Sequence, residues 1–224
     1  MRSLILAITV ALIIVTPIQI LASPMVLSEN LYNESNWTEV EKTDAGITIS
    51  EKEIEGIAVK AVKVSQVVEI NPETLAQVIE DISNYGRFLN SAPGMECSLL
   101  QENEDHIIGY QYVDVPLISD RVYAFKMYRP DSSLTRVDWE LVPQKSLGDF
   151  TINERSGVYI DVGVGSWSMD KRTDGKYSVS YRLVMDPGGW IPDSVSDYFN
   201  RVSIVGIFKD AIIETERRSA MGNS

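Results

Sequence analysis

The chain has 224 residues, 44% of them hydrophobic, and its 32 acidic against 20 basic side chains give a formal net charge of −12. Such acidity disfavours nucleic acids and anionic membrane surfaces as lasting partners, because both would repel it. The single cysteine, Cys97, excludes an internal disulfide, so stability must come from one sizeable apolar core.

At the N-terminus, Met1-Arg-Ser precedes an almost wholly apolar run from Leu4 to Val15, and Leu21-Ala-Ser23 offers small residues for cleavage after Ala22. Residues 1–22 therefore read as an export signal, with a periplasmic or secreted mature protein. The alternative is an uncleaved membrane anchor. For that role the run, interrupted by Thr16, Pro17 and Gln19, falls short of the roughly 20 residues a span prefers. Ser23 to Ser35 is polar without strong periodicity and reads as a linker, which leaves 36–219 as one domain.

Trp37 to Lys42 is expected to form a short helix. Ile47 to Lys52 and Ile57 to Ile70 are rich in Val and Ile, as strands are, with a turn at Glu55-Gly56. Asn71-Pro-Glu-Thr is a helix start, with Asn71 as cap, Pro72 in the first turn and Glu73 facing the positive end of the dipole. Leu75, Val78, Ile79 and Ile82 supply its buried stripe, and Tyr85 to Leu89 follows as a second short helix. Strands are then expected near 95–102, 106–115, 119–128, 134–142, 158–169 and 176–185. Short turns between them predict an antiparallel sheet. A longer loop is expected between Pro143 and Arg155. Asp186-Pro-Gly-Gly-Trp-Ile-Pro192 then turns the chain into a long helix, with Val195, Tyr198, Val202, Val205 and Ile212 near helical spacing.

Catalytic chemistry is thinly represented. His106 is the one histidine and sits beside Asp105 in a turn, and no G-x-S-x-G nucleophile motif accompanies it. There is no His/Cys cluster with metal spacing, so neither a metal nor another cofactor is expected. Cys97, between Met95 and Leu99, reads as a buried thiol.

The element order is that of an α+β helix-grip fold, a curved antiparallel sheet wrapped around a long C-terminal α-helix. Four segments resemble the START domain family within the Bet v 1-like superfamily. These are Trp37 with Asp44-Ala-Gly-Ile-Thr-Ile49; Ile70-Asn-Pro-Glu-Thr-Leu-Ala-Gln-Val-Ile-Glu-Asp81 with Tyr85; Ser119-Asp-Arg121, followed by Val122 where the family usually has an acid; and Asp186 to Pro192. The resemblance spans roughly 36–218. It implies a lipid- or sterol-sized ligand in a tunnel between sheet and C-terminal helix. Sterol-binding members place an acidic–basic pair inside the cavity. Gln111 and Met127 stand at those positions here, which argues against a sterol with a single hydroxyl.

Strand alternation puts Arg121, Tyr123, Phe125 and Met127 on one face, and Val137, Trp139 and Leu141 opposite Arg136, Asp138 and Glu140. The candidate ligand contacts are Arg121, Tyr123, Phe125, Met127, Val137, Trp139, Tyr181, Phe199 and Val202. A buried Arg121 guanidinium needs a carboxylate, a backbone carbonyl or a polar ligand head as partner. The expected function is binding and transport of a lipid or other hydrophobic molecule by a monomer in transient contact with membranes, without nucleic acid. The alternative is a cyclase- or hydrolase-type enzyme of the same superfamily, using Tyr110, Tyr112 or Tyr181. Candidate gates are Val115-Pro-Leu-Ile118 and Gly188-Gly-Trp-Ile191.

Overall fold

The computed structural model describes residues 23–115, 118–130, 134–148, 150, 156–188 and 203–222. Helix α1 (Pro24–Tyr32) leads into strands β1 (Thr38–Lys42), β2 (Thr48–Lys52) and β3 (Ala61–Val68). Helix α2 (Pro72–Glu80), a 3-10 turn at Ile82–Asn84 and helix α3 (Tyr85–Phe88) follow. The meander comprises β4 (Met95–Glu102), β5 (Ile107–Val113), β6 (Arg121–Tyr128), β7 (Arg136–Val142), β8 (Val158–Tyr159), β9 (Gly163–Lys171) and β10 (Tyr177–Met185), and α4 (Ile204–Gly222) closes the described chain. The strands form one curved sheet in the order β1-β2-β3-β10-β9-β7-β6-β5-β4, antiparallel throughout except that the short β8 runs parallel to β6. This is the α+β helix-grip architecture.

One face of the sheet carries the main core. Val62, Val64, Phe125, Met127, Val137, Trp139, Leu141, Trp167, Val179 and Tyr181 pack there with Leu75, Val78 and Ile79 of α2 and with Ile204, Phe208, Ala211 and Ile212 of α4. The α2 cap forms as its sequence dictates: the Asn71 side chain accepts a hydrogen bond from the Thr74 amide at 3.1 Å, and Pro72 opens the helix. Ion pairs hold both helices in place. Arg129, at the end of β6, reaches Glu80 at 2.6 Å and Glu73 at 2.9 Å, while Arg218 of α4 reaches Asp81 at 2.6 Å.

Two expectations for the N-terminal part need correction. The stretch read as a linker contains α1, and its start signal is the same as that of α2: the Ser23 hydroxyl accepts from the Val26 amide and Pro24 stands in the first turn. Leu27 and Leu31 lie one turn apart and are buried against Ile54, Ala61, Val164 and Val184 on the outer face of the sheet. Lys52 donates from Nζ to the carbonyls of Asn30 and Asn33, at 2.6 and 2.9 Å, satisfying the C-terminal end of the helix. The second correction is at 37–42, where the expected helix is strand β1. Asn36 takes a left-handed φ of 67°, which breaks helical continuation, and the turn at Gly46 returns the chain as a β1–β2 hairpin.

Helix α1 also changes the environment of the charged face of β7. The Tyr32 hydroxyl donates to Asp138 at 2.8 Å and contacts Ser166, and Arg136 pairs with Asp138 at 2.6 Å. Asp138, on the face opposite Val137 and Trp139 as the alternation implies, is only 3% exposed. Burial, aided by the Asp138 charge, holds the Tyr32 phenol well above its usual pKa. Beside it, Arg182 and Lys63 both pair with Glu34, at 2.6 and 2.9 Å.

Candidate functional site

Between the inner face of the sheet, α2–α3 and α4 lies a cavity of about 390 Å³. Its floor is aromatic because alternate residues of three neighbouring strands point the same way. Trp167 of β9 stacks on Tyr181 of β10 with ring centroids 4.3 Å apart, and on its other side faces Phe208 of α4 at 5.6 Å. Trp139 of β7 lies beside them and hydrogen-bonds the Tyr181 hydroxyl. Phe125 and Met127 of β6, Val78 and Ile79 of α2 and Ile204, Ile207 and Ala211 of α4 complete an apolar wall.

The polar groups gather toward the other end. In β5 and β6, Gln111 is directly paired with Tyr123, and Val113 with Arg121, so all four line the same part of the wall. Gln111 donates from Nε2 to the sulfurs of Met95 at 3.2 Å and Cys97 at 3.1 Å. Arg121 is 4% exposed. Its Nε donates to the Pro187 carbonyl at 2.8 Å, one terminal nitrogen donates to Gly188 at 3.2 Å, and the other to Ser119. Of the partners open to this guanidinium from sequence, backbone carbonyls are the ones found, and they tie the start of β6 to the segment that follows β10. Burial lowers the Arg121 pKa.

The structure brings Arg121, Tyr123, Phe125, Met127, Trp139 and Tyr181 together on the cavity wall. Val137 shares their face but is fully buried in the core, outside the described lining. Phe199 and Val202 lie outside the described residues, as do Pro116, Leu117 and 189–191 of the expected gates. Val115, expected to be exposed, is buried, and its amide donates to Asp120. Trp167, an aromatic able to stack on a ligand but expected in the core, lines the cavity, and so does Tyr85, which the sequence does not mark. Tyr85 belongs to α3, whose residues 85–88 are too few to show a stripe, and its hydroxyl donates to the Ile79 carbonyl.

Of the tyrosines considered as catalytic bases, Tyr181 faces the cavity. Tyr110 and Tyr112 point to the opposite side of the sheet, where they pack with Val122, Ala124 and Leu147, and the Tyr112 hydroxyl donates to Asp120. Burial holds the Tyr85, Tyr123 and Tyr181 phenols above their ordinary pKa, so all three are neutral at physiological pH. His106 sits in the β4–β5 turn, its backbone amide held by the Asn103 side chain at 2.9 Å, away from the cavity. Among the described residues no group of His, Cys, Asp and Glu side chains is arranged to hold a metal ion.

No protein-family model matches the chain, and no curated protein sequence matches it. Solved structures match its fold. A STAR-related lipid transfer protein from Xanthomonas axonopodis superposes with a TM-score of 0.65 at 17% identity, covering 81% of this chain and 99% of its own. Human STARD10 gives a TM-score of 0.65 at 14% identity, over 88% and 82% of the two chains. The Zhui aromatase/cyclase from a Streptomyces species gives 0.51 at 14% identity, over 71% and 94%. The fold is START-like.

Proposed function

We propose that this protein binds a lipid or other hydrophobic small molecule between the sheet and α4, and that it carries this molecule as an exported protein. The observation that carries the reading is the composition of the chamber: a largely aromatic and aliphatic wall with few polar groups, as in sites that enclose apolar ligands. Removing apolar ligand surface from water supplies about 25 cal/mol per Å², so a few hundred Å² outweighs a substantial part of the ordering cost. The lipid-transfer proteins among the structural neighbours support the same reading, and the export pattern of residues 1–22 supports the location. Against a tyrosine-based enzyme stands the chemistry of the wall. A buried phenol held above its ordinary pKa is a poor general base at neutral pH.

Native mass spectrometry of the gently purified protein, followed by extraction, tests the proposal. A stoichiometric apolar adduct is expected, and Phe125→Glu, which places a charge in the chamber wall, should abolish it in protein whose circular dichroism is unchanged. An empty protein that takes up nothing from a membrane extract would overturn the reading, as would full retention in a folded Phe125→Glu variant.

A further inference from the structure

The chamber has an uneven charge. Asp114 and Arg121 are the charged residues among its described lining. Asp114 is exposed at the rim, whereas Arg121 is buried in the wall. No described carboxylate forms an ion pair with Arg121. Its three hydrogen bonds go to neutral carbonyls, and the adjacent Asp120 is engaged by the Tyr112 hydroxyl and the Val115 amide. A guanidinium carries five N–H donors, so this one retains capacity beyond those three bonds. Two residues along the same face of β6 stands Tyr123, whose hydroxyl makes no hydrogen bond among the described residues. The charge of the neighbouring Asp120 acts on Arg121 without an ion pair forming between them, and a carboxylate placed directly against a buried guanidinium offsets more of its desolvation through charge-assisted hydrogen bonds.

Size restricts the rest of the ligand. At roughly 20–30 Å³ per non-hydrogen atom, the upper figure being a water molecule's share of liquid volume, a cavity of about 390 Å³ holds on the order of 13–20 such atoms. That fits one acyl chain with its head and is far too little for a two-chain phospholipid. Along one face of β6 the lining runs from Arg121 and Tyr123 to Phe125 and Met127, polar to apolar, in the order such an amphiphile requires.

We infer that the ligand is a single-chain carboxylate amphiphile, its head received by the Arg121 guanidinium and the Tyr123 hydroxyl and its chain laid over Phe125, Trp139 and Trp167. This rests on the reading of the cavity as a ligand chamber, and it adds the head group and the chain number. Arg121 thereby has two tasks, holding the Pro187–Gly188 segment by its carbonyls and selecting the charge of what lies beneath it.

The test titrates delipidated full-length protein with tetradecanoate, tetradecanol and tetradecyltrimethylammonium at low ionic strength and pH 8. Binding is read by tryptophan fluorescence and native mass spectrometry. The acid is expected to bind at least tenfold tighter than the alcohol, with the cation weakest. Arg121→Met should remove the preference while leaving the alcohol bound, Arg121→Lys should restore part of it, and Tyr123→Phe should reduce it several-fold. Equal affinity for acid and alcohol in the natural protein overturns the head assignment and leaves the chamber standing, as does an unchanged ratio in Arg121→Met. Uptake of none of the three ligands overturns the chamber itself. Should Arg121→Met fail to fold, the natural ratio and Tyr123→Phe decide: a ratio below threefold that Tyr123→Phe does not move is the overturning result.

Discussion

The Trp139 indole lies directly over Gly165 of the neighbouring strand: a Cβ at that glycine would meet the ring at 2.3 Å from Cε2 and 2.4 Å from Cζ2. The two residues are register partners in β7 and β9. The same arrangement recurs two strands away, where Gly109 of β5 pairs with Phe125 of β6 and a Cβ would come within 2.5 Å of the ring. In both places a missing side chain gives room for a cavity-facing aromatic ring to lie down on the sheet, so the glycines shape the wall without touching the ligand space themselves.

Gly165→Ala must therefore displace the indole and its contact with the Tyr181 hydroxyl. Forcing a methyl into such packing costs about 1–3 kcal/mol. Chemical denaturation should show a loss in that range, and the tryptophan emission of the folded variant should shift as the ring leaves its site. A variant with natural stability and an unshifted spectrum would mean that the ring does not rest on Gly165. Gly109→Ala should behave alike in stability, through Phe125.

These glycines mark the boundary of what the sequence made legible. Period-two alternation placed Tyr123, Phe125, Met127 and Trp139 on one face, and the Asn71-Pro72 cap located α2, because both patterns are local and need no knowledge of the partner strand. Gly109 and Gly165 could not be read that way, since their meaning depends on which residue stands opposite in the register. Likewise, alternation puts Asp138 on the outer face but cannot show that Tyr32 of α1 covers it, a contact made across 106 positions of sequence. Helix α1 itself was recoverable. Ser23-Pro24 repeats the cap-and-proline signal of Asn71-Pro72, and Leu27 with Leu31 is a short stripe, although the composition around them is polar.

Acid should destabilise α4 through Glu214, which is paired within the helix to Arg217 and Arg218. Hydrogen bonds and charge from Arg217 and Arg218 outweigh the cost of burial and hold this carboxyl at about 2, against an ordinary 4.5. Because the folded-state value is the lower one, the contribution of Glu214 is complete above about pH 4.5 and is lost as the pH falls toward 2. Urea midpoints measured from pH 6 to pH 3 should fall. Glu214→Gln should start lower at pH 6 and show a flatter decline. An identical slope in the two proteins would remove Glu214 from the acid response.

The Cys97 thiol should be nearly inert in the folded protein. Burial pushes it up to about 11, even though the Gln111 amide donates a hydrogen bond to the sulfur. At pH 8 only on the order of one such thiol in a thousand is ionised, against roughly a quarter for an ordinary cysteine near 8.5. Maleimide labelling is therefore expected to run on the order of two-hundredfold slower than for a free cysteine, and to become rapid in denaturant. Rapid labelling of the native protein would show that β4, an edge strand, opens readily from Gln111.

Phe208 decides whether α4 is part of the core or merely rests on the chamber. Its side chain is fully buried, and its ring lies parallel to Trp167 with 2° between the planes, continuing the stack begun by Tyr181. Close-packed aromatic burial of this kind is worth about 3–5 kcal/mol when truncated to alanine, the transfer loss and the unfilled space adding together. Phe208→Ala should lower unfolding stability by that amount, and Phe208→Leu, which refills much of the volume, by clearly less. Ile204, Ala211 and Ile212 also pack α4 into the core, but they do not fill the space the ring occupies, and the polar grips of Arg218 on Asp81 and of the Ser91 amide on Asp210 at 2.7 Å are partly exposed and contribute little. A loss of under 1 kcal/mol in Phe208→Ala would place the stability of the fold in the sheet and α2 alone, leaving α4 free to part from the aromatic floor at little cost. The full loss would mean that any opening of the chamber for a ligand must leave the Phe208–Trp167 contact in place and occur at the polar end, beside Arg121.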